Sequence, residues 1–235
     1  MSYQRSKRVE AKLADNRAQI LRAARRMVSE GGWREAQMAA IAATANLATG
    51  TVYRYFPSKA ELFAEVLAIV SQREVDVIGA IAEAGGSASQ RLADAVSAFA
   101  TRALRGRRLA YALIAEPCDP EIDEARLVYR RAISERFQKI IEDGIAAGEF
   151  APQDPRITAA CVAGALMESL VGPLAPESHQ LKDAKNKFVA ELVQFCVRAV
   201  GNEGVESLAK SKDSKLSVIN GGAKTAGQAN RRDER

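Results

Sequence analysis

The stretch from Asn46 to Lys59 reads Asn-Leu-Ala-Thr-Gly-Thr-Val-Tyr-Arg-Tyr-Phe-Pro-Ser-Lys, and it combines a turn, a short helix and several phosphate-binding side chains. Asn46 is a residue type that tolerates left-handed backbone angles, which suits a sharp turn. Before it, residues 38–45 place apolar side chains at positions 38, 41, 42 and 45, the spacing that buries one face of a helix. The sequence therefore predicts a helix, a turn and a second short helix, which is a helix-turn-helix arrangement.

The second helix of this pair carries the chemistry expected of a DNA contact. We expect Thr49 to cap its N-terminus, Pro57 to end it and Ser58 to cap the helix that follows. Its first turn is small and hydroxyl-bearing, so it can approach the floor of a groove, while polar side chains at its edges can donate to phosphates. The residues assigned to bases are Thr49, Gly50 and Thr51, and those assigned to phosphates are Tyr53, Arg54, Tyr55 and Lys59.

Upstream residues extend this pattern into a recognisable layout. Apolar positions from Ile20 to Val28 have the spacing of an amphipathic first helix, and Gly31-Gly32 provides its stop. With Gly50-Thr51-Val52-Tyr53, Tyr55-Phe56 and Ser58-Lys59, this layout resembles the DNA-binding domain of the TetR family of bacterial transcription repressors. The resemblance by motif covers about residues 13–66, and beyond them it rests on length and helical layout.

Two positions depart from the family pattern. Gln37 stands where a Thr or Ser usually caps the second helix, and Met38-Ala39-Ala40 lack the basic or hydroxyl residue that often contacts DNA there. We keep Gln37 among the candidate DNA-binding residues, but we expect base reading to depend on residues 49–51. Asn46 replaces the usual glycine of the turn, which Asn can do at modest cost.

The charge distribution supports a DNA-binding segment at the N-terminus. Residues 1–59 contain eleven Lys or Arg and four Asp or Glu, a net charge of +7, although the whole chain carries only +5. Such a basic segment on a neutral-to-acidic body is typical of a DNA-binding head joined to another domain. We expect residues 1–12 to form a flexible basic arm before the first helix, which would add salt-dependent affinity.

The remaining pattern predicts an all-α protein. Of the 235 residues 47% are hydrophobic, which suffices for a small head and a second helical domain with its own core. We expect a DNA-binding domain over 13–59, a helical ligand-binding and dimerisation domain over 60–202, and a disordered tail over 203–235. Apolar periodicity predicts further helices at 60–83, 88–105, 107–116, 120–147, 154–171 and 180–200.

The sequence gives little support for catalysis, for a metal site or for a membrane span. The three cysteines, Cys118, Cys161 and Cys196, favour buried reduced thiols, and the single histidine, His179, offers neither a metal cluster nor a catalytic triad. We therefore expect no enzyme, no metal and no cofactor. We see no stretch approaching the roughly eighteen apolar residues that span a bilayer, and we expect a cytoplasmic protein.

The resemblance also implies partners for the second domain. It implies that the last two helices pair with their copies in a four-helix bundle, so that a homodimer binds an inverted-repeat, palindromic operator in successive major grooves. It further implies a small-molecule effector among the middle helices that releases a repressor from DNA. The candidate lining residues are Phe99, Tyr111, Tyr129, Cys161, Met167 and Glu168, of which a buried Glu168 would favour a cationic or hydroxyl-bearing ligand. Three alternatives stay open. In the first, these side chains are ordinary core residues, and in the second the protein activates transcription instead of repressing it. The third is an all-α small-molecule-binding or scaffold protein without operator recognition.

Overall fold

The computed structural model describes residues 2–178 and 184–201, with side chains described from residue 7 onward. These residues form helices and no strands, which confirms the all-α prediction. The helices are α1 (Ser2–Glu35), α2 (Met38–Thr44), α3 (Thr49–Tyr55), α4 (Lys59–Ala82), α5 (Ala88–Arg105), α6 (Arg107–Ile114), α7 (Pro120–Ala146), α8 (Pro155–Leu174) and α9 (Lys185–Val200). His179 and the predicted tail over 203–235 lie outside the described residues.

Helices α1 to α3 and the first half of α4 surround one hydrophobic core. It contains the predicted apolar face of α1 from Ile20 to Val28, the buried residues of α2, and Val52 of α3. Trp33 and Phe63 pack within it with ring centroids 5.1 Å apart. We call α1 to α3 and the first half of α4 the head. Because Ala112 of α6 and Ile122 of α7 also belong to this cluster, the head is packed onto the following helices.

The N-terminal arm differs from the prediction. Helix α1 begins at Ser2, so Lys7, Arg8 and Lys12 lie on the helix instead of in a flexible segment before it. The reason is local, since residues 2–12 contain neither Gly nor Pro and include Gln, Arg, Lys, Glu and Ala, which are good helix formers. The helix is interrupted near its C-terminal end at Gly32, whose φ of 81° is non-helical, as the Gly31-Gly32 stop predicts.

The second hydrophobic core is formed by the C-terminal half of α4 together with α5, α7, α8 and α9. Its fully buried residues include Ile78, Leu92, Phe137, Ile140 and Leu166. Helix α4 contributes to both cores, with Leu62 to Leu67 in the first and Val75 to Ala82 in the second. The predicted helices at 60–83, 88–105, 107–116 and 120–147 correspond closely to α4, α5, α6 and α7, whereas α8 continues to Leu174 and α9 begins at Lys185.

Helix α8 contradicts the prediction that no stretch of the chain is long and apolar enough to span a bilayer. By length and composition it is apolar enough to cross a bilayer, because between Ile157 and Leu174 its sole charged residue is Glu168. One face of it, including Val162, Leu166 and Leu170, is buried in the second core. Such partial burial is common for a core helix of a soluble protein, so the match is weak support for a membrane span.

The cysteines occupy three different environments. Cys196 of α9 is buried, and desolvation raises the pKa of its thiol to about 11. Cys118 is partly buried, and burial raises the pKa of its thiol as well. Cys161 is exposed, so the prediction of a buried thiol is wrong there, because Cys161 lies with Ala160 and Gly164 on the outer face of α8, away from the face that Val162 and Leu166 bury in the core.

Candidate nucleic-acid interface and internal cavity

The turn between α2 and α3 has the geometry that the sequence predicts. Asn46 adopts a φ of 53°, and its N–H donates to the Ala43 carbonyl at 3.0 Å. The Leu47 N–H donates to the Ala42 carbonyl at 2.9 Å, which closes the turn. Because Ile41 of α2 and Val52 of α3 are both completely buried, the core fixes how the two helices cross.

Helix α3 presents its N-terminal turn to solvent. Thr49 and Gly50 are exposed and Thr51 is half-buried. A Cβ atom placed on Gly50 would meet no described atom within 4 Å, so the chain leaves free space over this turn. The predicted cap is wrong in detail, since α3 starts at Thr49 with Ala48 as its N-cap residue and without a side-chain cap. Thr49 is thereby left with its hydroxyl on the exposed first turn.

The residues flanking α3 are oriented by contacts with neighbouring helices. The Tyr55 hydroxyl accepts a hydrogen bond from Asn16 Nδ2 of α1 at 3.2 Å. Lys59 Nζ lies 5.3 Å from the centre of the Phe63 ring, while Tyr53 and Arg54 are exposed. Ser58 Oγ accepts from the Glu61 N–H at 3.0 Å, which confirms the predicted cap of α4. These contacts fix the Tyr55 hydroxyl against α1 and place the Lys59 ammonium group over the Phe63 ring.

The N-terminal part of α1 extends this polar surface. Arg8 and Lys12 line a shallow depression together with Thr51, Arg54 and Tyr55. The sequence predicts an arm for these cations and does not predict this proximity, which exists because α1 continues in helical form past the head. We call the surface formed by α3 and these α1 cations the basic face.

Gln37 occupies a different position from the α3 residues. It adopts extended backbone angles as the N-cap residue of α2, and its side chain makes no capping hydrogen bond. Instead its amide Nε2 donates to the Arg34 carbonyl at 2.7 Å at the end of α1. Gln37 is exposed, so it stays a candidate for a DNA contact through its amide oxygen or its second N–H group.

A cavity of about 360 Å³ lies behind the head, bounded by residues of α1, α4, α5, α6, α7 and α8. Three of the predicted ligand residues, Phe99, Tyr129 and Met167, line it. Its volume is within the range of roughly 300–1,000 Å³ that is usual for small-molecule sites. Three predicted residues, Tyr111, Cys161 and Glu168, do not line it, and Cys161 is exposed. Tyr111 packs beneath Arg108, whose guanidinium lies 5.8 Å from its ring centre, and Glu168 is exposed on the outer face of α8.

The cavity lining also contains charges that the sequence pattern does not reveal. Six of its residues are arginines and one, Glu74, is acidic. Glu74 is bound by Arg102 through a bidentate ion pair with distances of 2.8–3.2 Å, and this hydrogen bonding raises the pKa of Arg102. These arginines come from distant parts of the chain, so no local pattern in the sequence could bring them together.

A buried polar cluster joins the end of α1 to α6 beside this cavity. The Trp33 indole N–H donates to the Ala112 carbonyl at 2.7 Å, and its backbone N–H donates to Glu116 Oε2 at 3.3 Å. Arg108 pairs with both Glu116 oxygens at 2.9 Å and donates to the Gly31 carbonyl at 2.5 Å. We call Trp33, Arg108 and Glu116 the head latch, because their hydrogen bonds fix the end of α1 to α6 and to Glu116 just after it.

Helices α8 and α9 expose apolar and small residues on their outer faces. Ile157 and Phe195 are 64% and 57% exposed. Gly164, in the middle of α8, is also exposed, and a Cβ atom there would meet no described atom within 4 Å. A surface of this kind suits close approach of another helix.

Comparisons of the sequence with known proteins identify two matching family models. Residues 20–66 match the model described as bacterial regulatory proteins of the tetR family, and residues 85–170 match the tetracyclin repressor-like C-terminal domain. The HTH-type transcriptional repressor KstR of Mycolicibacterium smegmatis is 41% identical over 78 residues, which are 33% of this chain and 38% of that protein. The chain thus spans less than two fifths of the length of the curated relatives it matches.

Solved structures show the same fold. The FadR regulator of Bacillus subtilis in complex with stearoyl-CoA has a TM-score of 0.63 at 21% identity, covering 75% of this chain and 97% of FadR. A bacterial regulatory protein of the tetR family from Rhodococcus RHA1 has a TM-score of 0.62 at 24% identity, covering 80% and 98% of the two chains. At these identities the likeness concerns the fold alone.

Proposed function

Because the chain belongs to the TetR family of bacterial regulatory proteins, we propose that it is a ligand-responsive transcription repressor that binds a palindromic operator as a homodimer. The observation that carries this proposal is the exposed N-terminal turn of α3, framed by cations of α1 and α3 on the basic face. A repressor of this kind acts in the cytoplasm, where the DNA is. Its function is regulatory and not catalytic, as in its curated relatives.

The residues of the basic face are suited to two kinds of DNA contact, one to base edges and one to phosphates. Thr49, Gly50 and Thr51 form a small surface that can enter a major groove and contact base edges. Tyr53, Arg54, Tyr55 and Lys59 surround it and are suited to phosphates, which position a protein without reading sequence. Arg8 and Lys12 add charge beside them and would strengthen salt-dependent affinity.

Substitution of Thr51 tests the assignment of base contacts. Thr51→Ala is expected to change which base pairs are preferred at one position of each half-site, with a loss of about 1 kcal/mol of discrimination. Thr44→Ala, an exposed threonine at the end of α2, is the matched control. Competition binding with single-base operator variants measures the effect. An unchanged preference in Thr51→Ala would show that the base contact is made elsewhere.

Substitution of Lys59 tests the assignment of phosphate contacts. Lys59→Ala is expected to weaken binding to every duplex alike and to lower the slope of log affinity against log salt concentration by about one. Lys139→Ala, on α7 and remote from α3, serves as the control. Filter binding or anisotropy at several salt concentrations gives the slope, and a loss confined to one sequence would refute the phosphate role.

The outer faces of α8 and α9 support the dimer. Their exposed apolar residues form a surface that a second copy of the same surface can cover across a twofold axis. Helix α3 offers few side chains to DNA, so affinity and specificity from one head would be low. Two heads on a symmetry axis would instead contact two half-sites of an inverted repeat.

Helix α6 offers a path from the cavity to the head. Leu109, Ala110 and Leu113 of α6 line the cavity, while the carbonyl of Ala112 on the same helix binds the Trp33 indole. An effector that moves α6 would therefore act on the head latch. Release from DNA requires that the effector bind one head arrangement better than the other.

Selection from random duplexes at near-physiological salt tests the proposed function as a whole. We expect enrichment of an inverted repeat whose half-sites lie in successive major grooves on one side of the duplex. Failure to enrich any sequence, with retention of small-molecule binding, would instead favour an all-α small-molecule-binding protein without operator recognition.

A further inference from the structure

We propose that the 360 Å³ cavity takes an amphipathic anion, a molecule with an apolar body and one negatively charged end. This proposal deepens the proposed function, since it names the chemical class of the effector. It replaces the expectation of a cationic or hydroxyl-bearing ligand drawn from Glu168, because that carboxylate is exposed on the outer face of α8 and does not line the cavity.

The inner part of the lining is apolar. Phe99, Ala103, Ile114, Ile133 and Met167 all line the cavity, and each is at most 9% exposed. Removing an apolar chain from water into such a lining contributes roughly 25 cal/mol per Å² of buried surface. This end of the cavity therefore favours an uncharged hydrocarbon portion of the ligand.

The outer part of the lining is cationic and incompletely paired. Arg25, Arg73 and Arg105 line the cavity and are exposed, so they mark the side on which it meets solvent. Within the described part of the chain none of the three makes a hydrogen bond or an ion pair through its side chain. Their donors are free for a carboxylate or a phosphate, which the planar guanidinium binds well.

The remaining charged groups of the lining already form ion pairs or hydrogen bonds within the protein. Arg102 neutralises Glu74, so the single carboxylate of the cavity is not available to a cation. Arg126 binds three backbone carbonyls and Asp123, and Arg130 donates to the Ile114 carbonyl at 2.9 Å. The net charge offered to a ligand is therefore positive, and it comes from the exposed arginines.

Four ten-carbon probes test the ligand class below their critical micelle concentrations. They are decanoate, decanoyl-CoA, 1-decanol and decyltrimethylammonium. Trp33, the single tryptophan of the chain, is bonded to α6 beside the cavity, so its fluorescence serves as the readout with calorimetry as a check. We expect at least one anionic probe to bind about tenfold or more tightly than the alcohol and the cation. Tighter binding of decanoate assigns a carboxylate head, and tighter binding of decanoyl-CoA assigns a phosphate-bearing head.

Variants of the exposed arginines test where the negatively charged end of the ligand binds. The double variant Arg73→Gln and Arg105→Gln is expected to weaken binding of the anionic probe by about tenfold or more and to leave 1-decanol binding unchanged. Arg131→Gln, an exposed arginine on α7 that does not line this cavity, is the matched control. Equal binding of alcohol and anion, tightest binding of the cation, or wild-type affinity of the double variant would overturn the proposal. Probe binding is measured without DNA, so a failure of operator binding is a separate result.

Discussion

Gly32→Ala is expected to destabilise the protein by about 2.5–5 kcal/mol and to loosen the end of α1 from α6. Gly32 has a φ of 81°, and an L-residue in this region is strained by about 1–2 kcal/mol. A Cβ atom there would lie 1.7 Å from Arg108 Nη2 and 2.4 Å from Glu116 Oε2. The new methyl group must therefore displace the ion pair of the head latch, and lost charged hydrogen bonds contribute a further 1.5–3 kcal/mol or so.

A substitution at a second glycine distinguishes the free-energy cost of backbone strain from the cost of losing the head latch. Gly148 has a similar φ of 73°, but a Cβ atom on it would meet no described atom within 4 Å. Gly148→Ala should consequently be destabilised by only about 1–2 kcal/mol. Urea denaturation of both variants provides the comparison. Equal free energies of unfolding would mean that the latch does not contribute to stability.

Gly164→Leu is expected to separate the proposed dimer while the monomer stays folded. No described atom lies within 4 Å of a Cβ placed on Gly164, so the larger side chain meets free space in the single chain. At a twofold interface it would enter the packing of both copies, and overpacking of this kind is unfavourable by roughly 1–3 kcal/mol at each site. Summed over the two sites, the dimer should then dissociate roughly 30-fold to 20,000-fold more readily.

The same substitution at an equally open glycine is the control. Gly85, in the turn between α4 and α5, would also have no described atom within 4 Å of an added Cβ, and it is remote from α8. Sedimentation velocity across a concentration series should show Gly85→Leu as a dimer and Gly164→Leu as a monomer. Operator affinity should fall together with dimerisation. A Gly164→Leu protein that stays dimeric would exclude this face of α8 from the interface.

Local signals explain why the sequence predicts the helix-turn-helix well. Asn46 adopts the left-handed conformation that its residue type allows, Ser58 caps α4, and α3 ends before Pro57. Each of these features depends on a few neighbouring residues and on backbone preferences that are visible in the sequence. The exception is Thr49, which lies one residue inside the helix because Ala48 already has the extended backbone of an N-cap.

Features that depend on long-range packing are not predicted. The cavity arginines come from distant parts of the chain, and the pairing of Trp33 with Glu116 joins residues 83 positions apart. Helical periodicity places Phe99 and Met167 on inward faces, but it cannot tell that Tyr111 packs beneath Arg108 or that Glu168 faces outward. The cations of α1 are likewise visible as a cluster in the sequence, whereas their position beside α3 follows from the packing of α1 against the head.

Selection of bound duplexes from a random pool, at near-physiological salt and with the full chain, is the decisive test of operator recognition by a dimer. The exposed first turn of α3 and the proposed twofold assembly predict enrichment of an inverted repeat, and Thr51→Ala should alter the enriched half-site. Enrichment of isolated half-sites would contradict the dimeric operator. No enrichment at all would contradict DNA recognition by α3.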